Sequence, residues 1–246
     1  MIQKGLSSLG KWFREHKHIA LALYVPVFFI WFGLLERYMT PVIWTDTPLD
    51  ALIPFNELFV IPYYLWYIYV PAAAIYFFFR SKPDYYRLCT FLFSGMTICL
   101  ILYMIIPNGQ MLRPVSFPRD NFLTDVVKSL YRTDTPTNVC PSMHCLNAIG
   151  VHIAVRRSKE LSKLRVPSGI LMVLVCLSTM FLKQHPVLDV VAAILMAVPL
   201  YWAVYRVDWS SIAQRFRARR SVSGAVTVRA ENGNARMADE RKKESA

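Results

Sequence analysis

The stretch VPSGILMVLVCLSTMFLKQHPVLDVVAAILMAVPLYWAVY, residues 166–205, consists of two long apolar runs separated by a short polar segment. The first run, 166–182, contains no charged residue, and the second, from about 186 to 205, contains only Asp189. A helix needs roughly 20 apolar residues to cross the hydrocarbon core of a bilayer. The two runs therefore predict a pair of membrane-spanning helices joined by a short turn.

Four more apolar runs precede this stretch, and the composition of the whole chain agrees with them. They cover residues 19–35, 58–79, 88–106 and about 141–155, the last of which is short and contains His144 and His152. Charged residues make up only 18% of the 246 residues, compared with roughly 25% in soluble domains. The pattern predicts an all-α membrane protein, a bundle of six transmembrane helices. It excludes a soluble globule, a disordered chain, a collagen and a disulfide-stapled secreted domain.

The basic residues predict the orientation of this bundle. The N-terminal segment, the second and fourth connections and the tail after Tyr205 hold 22 of the 28 Lys and Arg, and the opposite side holds six. Cytoplasmic loops carry the excess of Lys and Arg in membrane proteins, so both termini are predicted in the cytoplasm. The predicted organisation is a basic N-terminal segment at 1–18, a six-span membrane domain at 19–205, and a basic tail at 206–246 that is disordered from about 221.

Two outer connections are long enough to carry structure of their own. Residues 50–59, DALIPFNELF, favour a short interfacial helix that leads into the second span. The connection at 107–141 has helical spacing in its middle, with Asn121 as a plausible N-cap, and a long ordered loop of this kind is typically functional. Cys140 and Cys145 flank the outer end of the fourth span; a disulfide between them stays open, and no cysteine spacing indicates a zinc site.

Polar residues gather at the same outer membrane face, and they come from three different helical hairpins. They are Arg113, Ser142, His144, Ser178, Lys183, His185 and Asp189, and Gln184 lies among them without an assigned role. Each residue alone has an ordinary explanation, such as an interfacial anchor, a helix cap or a headgroup contact. An ionisable residue at membrane depth is costly and indicates a function by default. Two histidines, an acid and a lone arginine at one level therefore predict a catalytic site.

These residue types fit phosphoryl transfer. A guanidinium binds phosphate oxygens in a bidentate manner, and a neutral imidazole can attack phosphorus and carry a phosphoryl group. His185 and Asp189 are four residues apart and share a face of a helix, so the carboxylate would fix the tautomer of the ring. His144 would protonate the leaving alkoxide. No carboxylate cluster accompanies the histidines, so the predicted reaction needs neither a metal nor a cofactor.

At these residues the chain resembles the type 2 phosphatidic acid phosphatase superfamily, whose fold is shared with the vanadium haloperoxidases. The family has three motifs: a Lys, six residues and Arg-Pro; Pro-Ser-Gly-His; and Ser-Arg, five residues, His, three residues and Asp. The corresponding residues here are 106–114, 141–144 and 178–189. Ile106, Met143 and Thr179 stand where the family has Lys, Gly and Arg.

The resemblance implies a helical bundle of the lipid phosphatase and haloperoxidase type that hydrolyses a lipid phosphomonoester or pyrophosphate at the outer face. In this interpretation His185 is the nucleophile, Asp189 orients it, and His144 acts first as general acid and then as base. The implied phosphate ligands are Arg113, Ser142, Ser178 and Lys183. The implied partners are the lipid phosphate substrate and membrane lipids, with phosphatidic acid, undecaprenyl pyrophosphate, phosphatidylglycerol phosphate and sphingoid phosphates as candidates.

The two missing cations leave alternatives open. In lacking these cations the chain is similar to the branch of the superfamily that contains the inositol phosphorylceramide and sphingomyelin synthases. Those enzymes pass a phospho-headgroup to a lipid alcohol rather than to water. Lys183 or Arg119 would then replace part of the lost charge. A further alternative is a lipid-binding or transport protein that retained the fold and lost the chemistry. Nucleic-acid binding is disfavoured, because the basic residues follow the predicted cytoplasmic loops.

Overall fold

A computed structural model describes residues 16–209, 211 and 214 of the chain. The contacts divide the chain into two units, and the boundary lies after Tyr205. The fold described below is that of residues 16–205, the described part of the first unit. Most of the predicted basic N-terminal segment and the part of the tail predicted to be disordered, from about residue 221, lie outside the described residues.

The described part of the first unit is mostly helical, which confirms the predicted α class. Its α-helices are α1 (Tyr24–Tyr38), α2 (Val60–Arg80), α3 (Lys82–Ile105), α4 (Phe122–Thr133), α5 (Met143–Arg157), α6 (Arg165–Phe181) and α7 (Val187–Tyr205). Short 3₁₀ segments occur at Lys17–Leu23, Pro48–Leu52, Glu57–Phe59 and Ser162–Leu164. Two strands of two residues, β1 (Ile43–Trp44) and β2 (Asn108–Gly109), pair in parallel.

Within the described residues, five helical segments are long and apolar enough to cross a membrane. They are Lys17–Tyr38, Glu57–Arg80, Lys82–Ile105, Ser162–Phe181 and Val187–Tyr205. The predicted fourth run instead forms α5, which has 15 residues. At 1.5 Å per residue it is about 22 Å long, shorter than the roughly 30 Å hydrocarbon core.

Local sequence signals explain several helix ends. Asn121 caps α4 as predicted, because its side-chain oxygen accepts a hydrogen bond from the backbone N–H of Thr124 at 3.0 Å. Ser81 caps α3 in the same way, accepting from the backbone N–H of Asp84. The segment predicted as one short helix before the second span forms two 3₁₀ turns, since the Ile53-Pro54 step interrupts it.

Helix α5 occupies the centre of the bundle, where it packs against α2, α3, α6 and α7. Two glycines permit its close approach to α3. A Cβ atom on Gly150 would lie 2.5 Å from a ring carbon of Phe91, and one on Gly95 would lie 2.6 Å from a methyl group of Leu146. The N-terminus of α5, which carries the second predicted motif, is therefore held at a fixed position in the bundle.

The two connections that the sequence predicts on the outer side, called the outer connections below, form a hydrogen-bonded layer over one end of the bundle, called the outer end. The Asn108 side chain uses both of its polar atoms there: it donates to the carbonyl oxygens of Ile106 and Cys140 and accepts from the backbone N–H groups of Val139 and Cys140. The buried carboxylate of Asp50 accepts from the backbone N–H of Val187 at 2.7 Å and thereby caps α7. Residues far apart in the chain are thus fixed around the start of α7.

Candidate active site

The corner between α6 and α7 places His185 at the outer end of the bundle. Both Gln184 and His185 donate their backbone N–H to the carbonyl oxygen of Thr179, which closes the end of α6. Lys183 has φ 53°, a left-handed conformation that glycine usually supplies at such a position. The Lys183 ammonium donates to the carbonyl oxygens of Asp50 (2.8 Å) and Ile53 (2.5 Å), so the corner is tied to the first outer connection.

His185 and Asp189 form the pair that their spacing predicts. Nδ1 of His185 lies 3.1 Å from Oδ2 of Asp189, although His185 precedes α7 and only Asp189 belongs to the helix. Burial alone would lower the pKa of His185, but the hydrogen bond and the charge of Asp189 outweigh it and raise that pKa above its usual value. Within the described part of the chain, Nε2 of His185 has no hydrogen-bond partner, so it is the nitrogen left for chemistry.

His144 lies beside this pair, on the first turn of α5. Its ring centroid is 5.7 Å from that of His185, and the ring packs against Tyr63 (4.7 Å) and Trp66 (4.4 Å) of α2. Nε2 of His144 is buried and has no hydrogen-bond partner. Ser142 precedes it as the cap of α5, where the hydroxyl oxygen accepts from the backbone N–H of Cys145 at 3.4 Å.

Arg113 reaches the same region from the long outer connection. Its Nη1 donates to the carbonyl oxygen of Tyr131 (3.0 Å), and its Nη2 donates to the carbonyl oxygen of Asp134 (2.7 Å) and to Oε1 of Gln184 (2.6 Å). The guanidinium also stacks 4.5 Å from the centroid of the Tyr131 ring. Its Nε is buried without a partner, so this N–H of the guanidinium is uncommitted.

The predicted site residues Arg113, His144 and His185 are linked in a closed ring of contacts, called the contact circuit below. The links are three residues to which the sequence prediction gave no role: Tyr63, Asp134 and Gln184. The Tyr63 ring contacts His144, and its hydroxyl donates to Oδ2 of Asp134 at 3.2 Å. The carbonyl of Asp134 binds Arg113, which binds Gln184, the residue before His185. Adjacency to His185 was the one sequence signal for Gln184. Tyr63 is hidden in an aromatic run that is typical of a lipid-facing helix, and Asp134 is one of three acids in a long loop.

Two of the predicted phosphate ligands have their donors engaged elsewhere. The Ser178 hydroxyl donates to the carbonyl oxygen of Val175 at 2.7 Å, within its own helix. The Lys183 ammonium is held by the two carbonyls described above, and burial lowers its pKa. At the two positions where the resembling family has cations, Thr179 is buried and donates to the carbonyl oxygen of Cys176, whereas Ile106 is 44% exposed at the end of α3.

The electrostatics of the outer layer follow from two half-buried acids, Glu36 and Asp134. Glu36 of α1 accepts hydrogen bonds from Thr135, Thr137 and Asn138 on the long connection. Burial raises the pKa of Asp134, and Glu36 raises it further, whereas His185 and Arg113 act in the opposite direction. The surroundings of the two histidines therefore contain carboxylates as well as the single guanidinium of Arg113.

The five cysteines, including Cys140 and Cys145, are free in this structure. Among the residues that the structure describes, no group of three or more His, Cys, Asp or Glu side chains is arranged to hold a metal ion. Comparisons of the chain with protein families, with curated proteins and with solved structures found no match. The arrangement itself offers two adjacent imidazoles, one of them paired with a carboxylate, next to a guanidinium.

Proposed function

We propose that this chain is an integral membrane lipid phosphatase that hydrolyses a phosphomonoester or pyrophosphate of a lipid through a phosphohistidine. The observation that carries the proposal is the pairing of His185 with Asp189 at 3.1 Å, with the His144 ring 5.7 Å away. An imidazole that is held through Nδ1 presents Nε2 as a nucleophile, and a second imidazole nearby can transfer protons.

In the proposed first step, Nε2 of His185 attacks the phosphorus atom while the bond from phosphorus to the lipid oxygen breaks. His144 gives a proton to the departing alkoxide, and the phosphoryl group stays on His185. In the second step, neutral His144 takes a proton from water, the hydroxide attacks phosphorus, and inorganic phosphate leaves. Asp189 stabilises the ring cation in both steps, and Arg113 and Ser142 hold phosphoryl oxygens.

The proposed topology has six spans, both termini in the cytoplasm and the site at the extracytoplasmic face. In this arrangement α5 is the fourth span in chain order and is added to the five longer helices; the helices around it compensate for its short length. Support comes from the distribution of Lys and Arg, with the basic second and fourth connections on the side opposite the histidines. The lipid tails would enter laterally from the outer leaflet.

A phosphotransferase that uses the same residues is the second candidate function. Ile106 and Thr179 take the places of two cations of the phosphatase pattern, and the ammonium of Lys183 is occupied by backbone carbonyls. A site with fewer cations suits a phosphodiester, which carries one negative charge fewer than a phosphomonoester. A binding protein without catalysis is the third candidate, and no contact in the described residues favours it.

One experiment separates these candidates. Purified full-length protein is incubated in detergent with a panel of lipid phosphates, with and without a lipid alcohol acceptor and in the presence of EDTA. A phosphatase releases inorganic phosphate, a phosphotransferase forms a new phosphodiester, and a binding protein forms neither. Activity that is lost with EDTA and restored by magnesium would contradict the proposed mechanism.

A further inference from the structure

The side chain of Gln184 is buried, at 2% exposure, and only one end of its amide has a partner. Oε1 accepts a hydrogen bond from Nη2 of Arg113 at 2.6 Å, whereas Nε2 has no partner. The amide cannot be reversed, because its NH₂ group would then face a guanidinium that has only donors. The free end of Gln184 is therefore an N–H donor.

Two other buried nitrogen atoms in the contact circuit are also without partners. They are Nε of Arg113 and Nε2 of His144, and they come from different parts of the chain. A buried polar atom without a hydrogen bond is costly, and native proteins retain few of them. Unpaired nitrogens on neighbouring members of one circuit are expected where an oxygen-rich ligand completes their hydrogen bonds.

We propose that the amide Nε2 of Gln184 is a ligand of the phosphoryl oxygens of the substrate. The inference rests on the proposed function, because it assigns Gln184 to the same site. A neutral donor supplies a hydrogen bond to a phosphoryl oxygen without adding a charge. Oε1, bound to Arg113, fixes the direction of the amide, so Gln184 and Arg113 would hold the anion as a unit.

A purely structural role for Gln184 predicts a different response to substitution. If Gln184 only holds Arg113, Gln184→Glu should preserve the site, because a carboxylate accepts from a guanidinium at least as well as an amide does. If Nε2 binds phosphoryl oxygens, Gln184→Glu removes the donor and places a negative charge against the anion. Gln184→Met removes the donor without adding charge. Ser129→Glu, at an exposed position on α4, adds the same charge away from the circuit.

The test measures binding of orthovanadate and inorganic phosphate to the purified full-length variants by titration calorimetry. Gln184→Glu and Gln184→Met should each weaken binding by about 10- to 100-fold, the range for a hydrogen bond to a charged group. Ser129→Glu should stay within about twofold of wild type, because an exposed charge is screened by solvent. Gln184→Glu should unfold at a temperature no lower than wild type, since its partner Arg113 is retained.

Wild-type affinity in both Gln184 variants, a loss in only one of them, or an equal loss in Ser129→Glu would overturn the assignment. A loss in Gln184→Met alone would show that Gln184 acts only by holding Arg113, because Met also lacks the Oε1 acceptor. So would a wild-type protein that binds neither anion. Turnover of lipid phosphates is measured separately, with His185→Ala as the reference. If anion binding depends on Gln184 but no lipid phosphate is turned over, the proposed reaction is rejected and Gln184 remains an anion ligand. If lipid phosphates are turned over and the Gln184 variants bind anions like wild type, the proposed reaction remains and the role of Gln184 is rejected.

Discussion

The backbone N–H of Ser142 donates a hydrogen bond to the carbonyl oxygen of Asp189 at 3.1 Å. This bond joins the cap of α5 to the first turn of α7, so the main chain itself fixes the segments that carry His144 and His185. The separation of the two imidazoles therefore does not depend on either ring. Substitution of one histidine should leave the position of the other unchanged, which makes the site suitable for single-residue tests.

Replacement of His185 by alanine should abolish turnover, because the proposed nucleophile is removed. His144→Ala should instead slow cleavage by roughly 10²- to 10⁴-fold for lipid substrates, the usual contribution of a general acid. An aryl phosphate with a good leaving group should restore activity to His144→Ala far better than to His185→Ala. Steady-state rates on both substrates check this, with circular dichroism as the folding control. Equal restoration of both variants would assign the nucleophile elsewhere.

The pH dependence should follow His185. Its pKa is raised above the usual value of about 6.5, and the nucleophile must be neutral, so kcat/KM should increase with pH through that raised value as long as His144 still holds the proton that it donates in the first step. Stability should change in the opposite direction. The proton bound by His185 stabilises the fold fully below about pH 6.5, and this contribution is lost as pH rises through the folded pKa. Thermal unfolding from pH 5 to 9 and a pH–rate profile measure both effects.

Asp189→Asn should lower the apparent pKa in that profile, because both raising effects of Asp189 on His185 are removed. Turnover should fall by about 10⁴-fold if the amide holds the ring in the wrong tautomer, as the equivalent change does in a serine protease triad. The pH–rate profile of the variant measures both the shift in the apparent pKa and the fall in turnover. An unchanged profile would show that another group controls the observed titration.

Thr179→Arg tests whether the site is a phosphatase that lacks a cation. If it is, the restored guanidinium should increase the release of inorganic phosphate. If the protein is a phosphotransferase, the larger side chain should obstruct the acceptor and lower the yield of phosphodiester. Thr179 is buried, so the unfolding temperature is measured in parallel to separate strain from chemistry. A folded variant with both products unchanged would place position 179 outside the site.

Single cysteines can test the topology. Ser129, on α4, and Ser162, between α5 and α6, are both exposed, whereas Thr124 of α4 is buried and unsuitable for labelling. In intact cells an impermeant thiol reagent should label Ser129→Cys, and it should label Ser162→Cys only after the membrane is opened. The parent protein, with its five native cysteines, gives the background. The reverse pattern would invert the proposed orientation.

Gly150→Ala should destabilise the protein by roughly 1–3 kcal/mol, because the new methyl group overlaps the Phe91 ring in a packed core. Gly33 is the matched control: it also lies in a helix, but a Cβ there has no atom within 4 Å. Gly33→Ala should therefore be neutral or slightly stabilising. Unfolding in denaturant measures both. Equal stability of the two variants would show that the contact between α3 and α5 can relax freely.

Local patterns in the sequence determined the helical architecture and the core of the candidate site. Long apolar runs predicted six membrane-spanning helices, because burying backbone polar groups in lipid requires helices, and five of the six have the length and composition to span a membrane in the described residues. The cap at Asn121 and the pairing of His185 with Asp189 also followed from the sequence, since both depend on residues three or four positions apart. Such contacts form between near neighbours in the chain at the start of a helix, so short-range spacing is enough to predict them.

Only the tertiary structure decided the partners of the remaining polar groups. Tyr63 reaches Asp134 across 71 residues of the chain, and Lys183 donates to backbone carbonyls more than 100 residues away rather than remaining free for an anion. These outcomes depend on which long side chain finds an acceptor once the helices have packed. Spacing in the sequence carries no information about that choice, because each donor has many acceptors within the reach of a flexible loop.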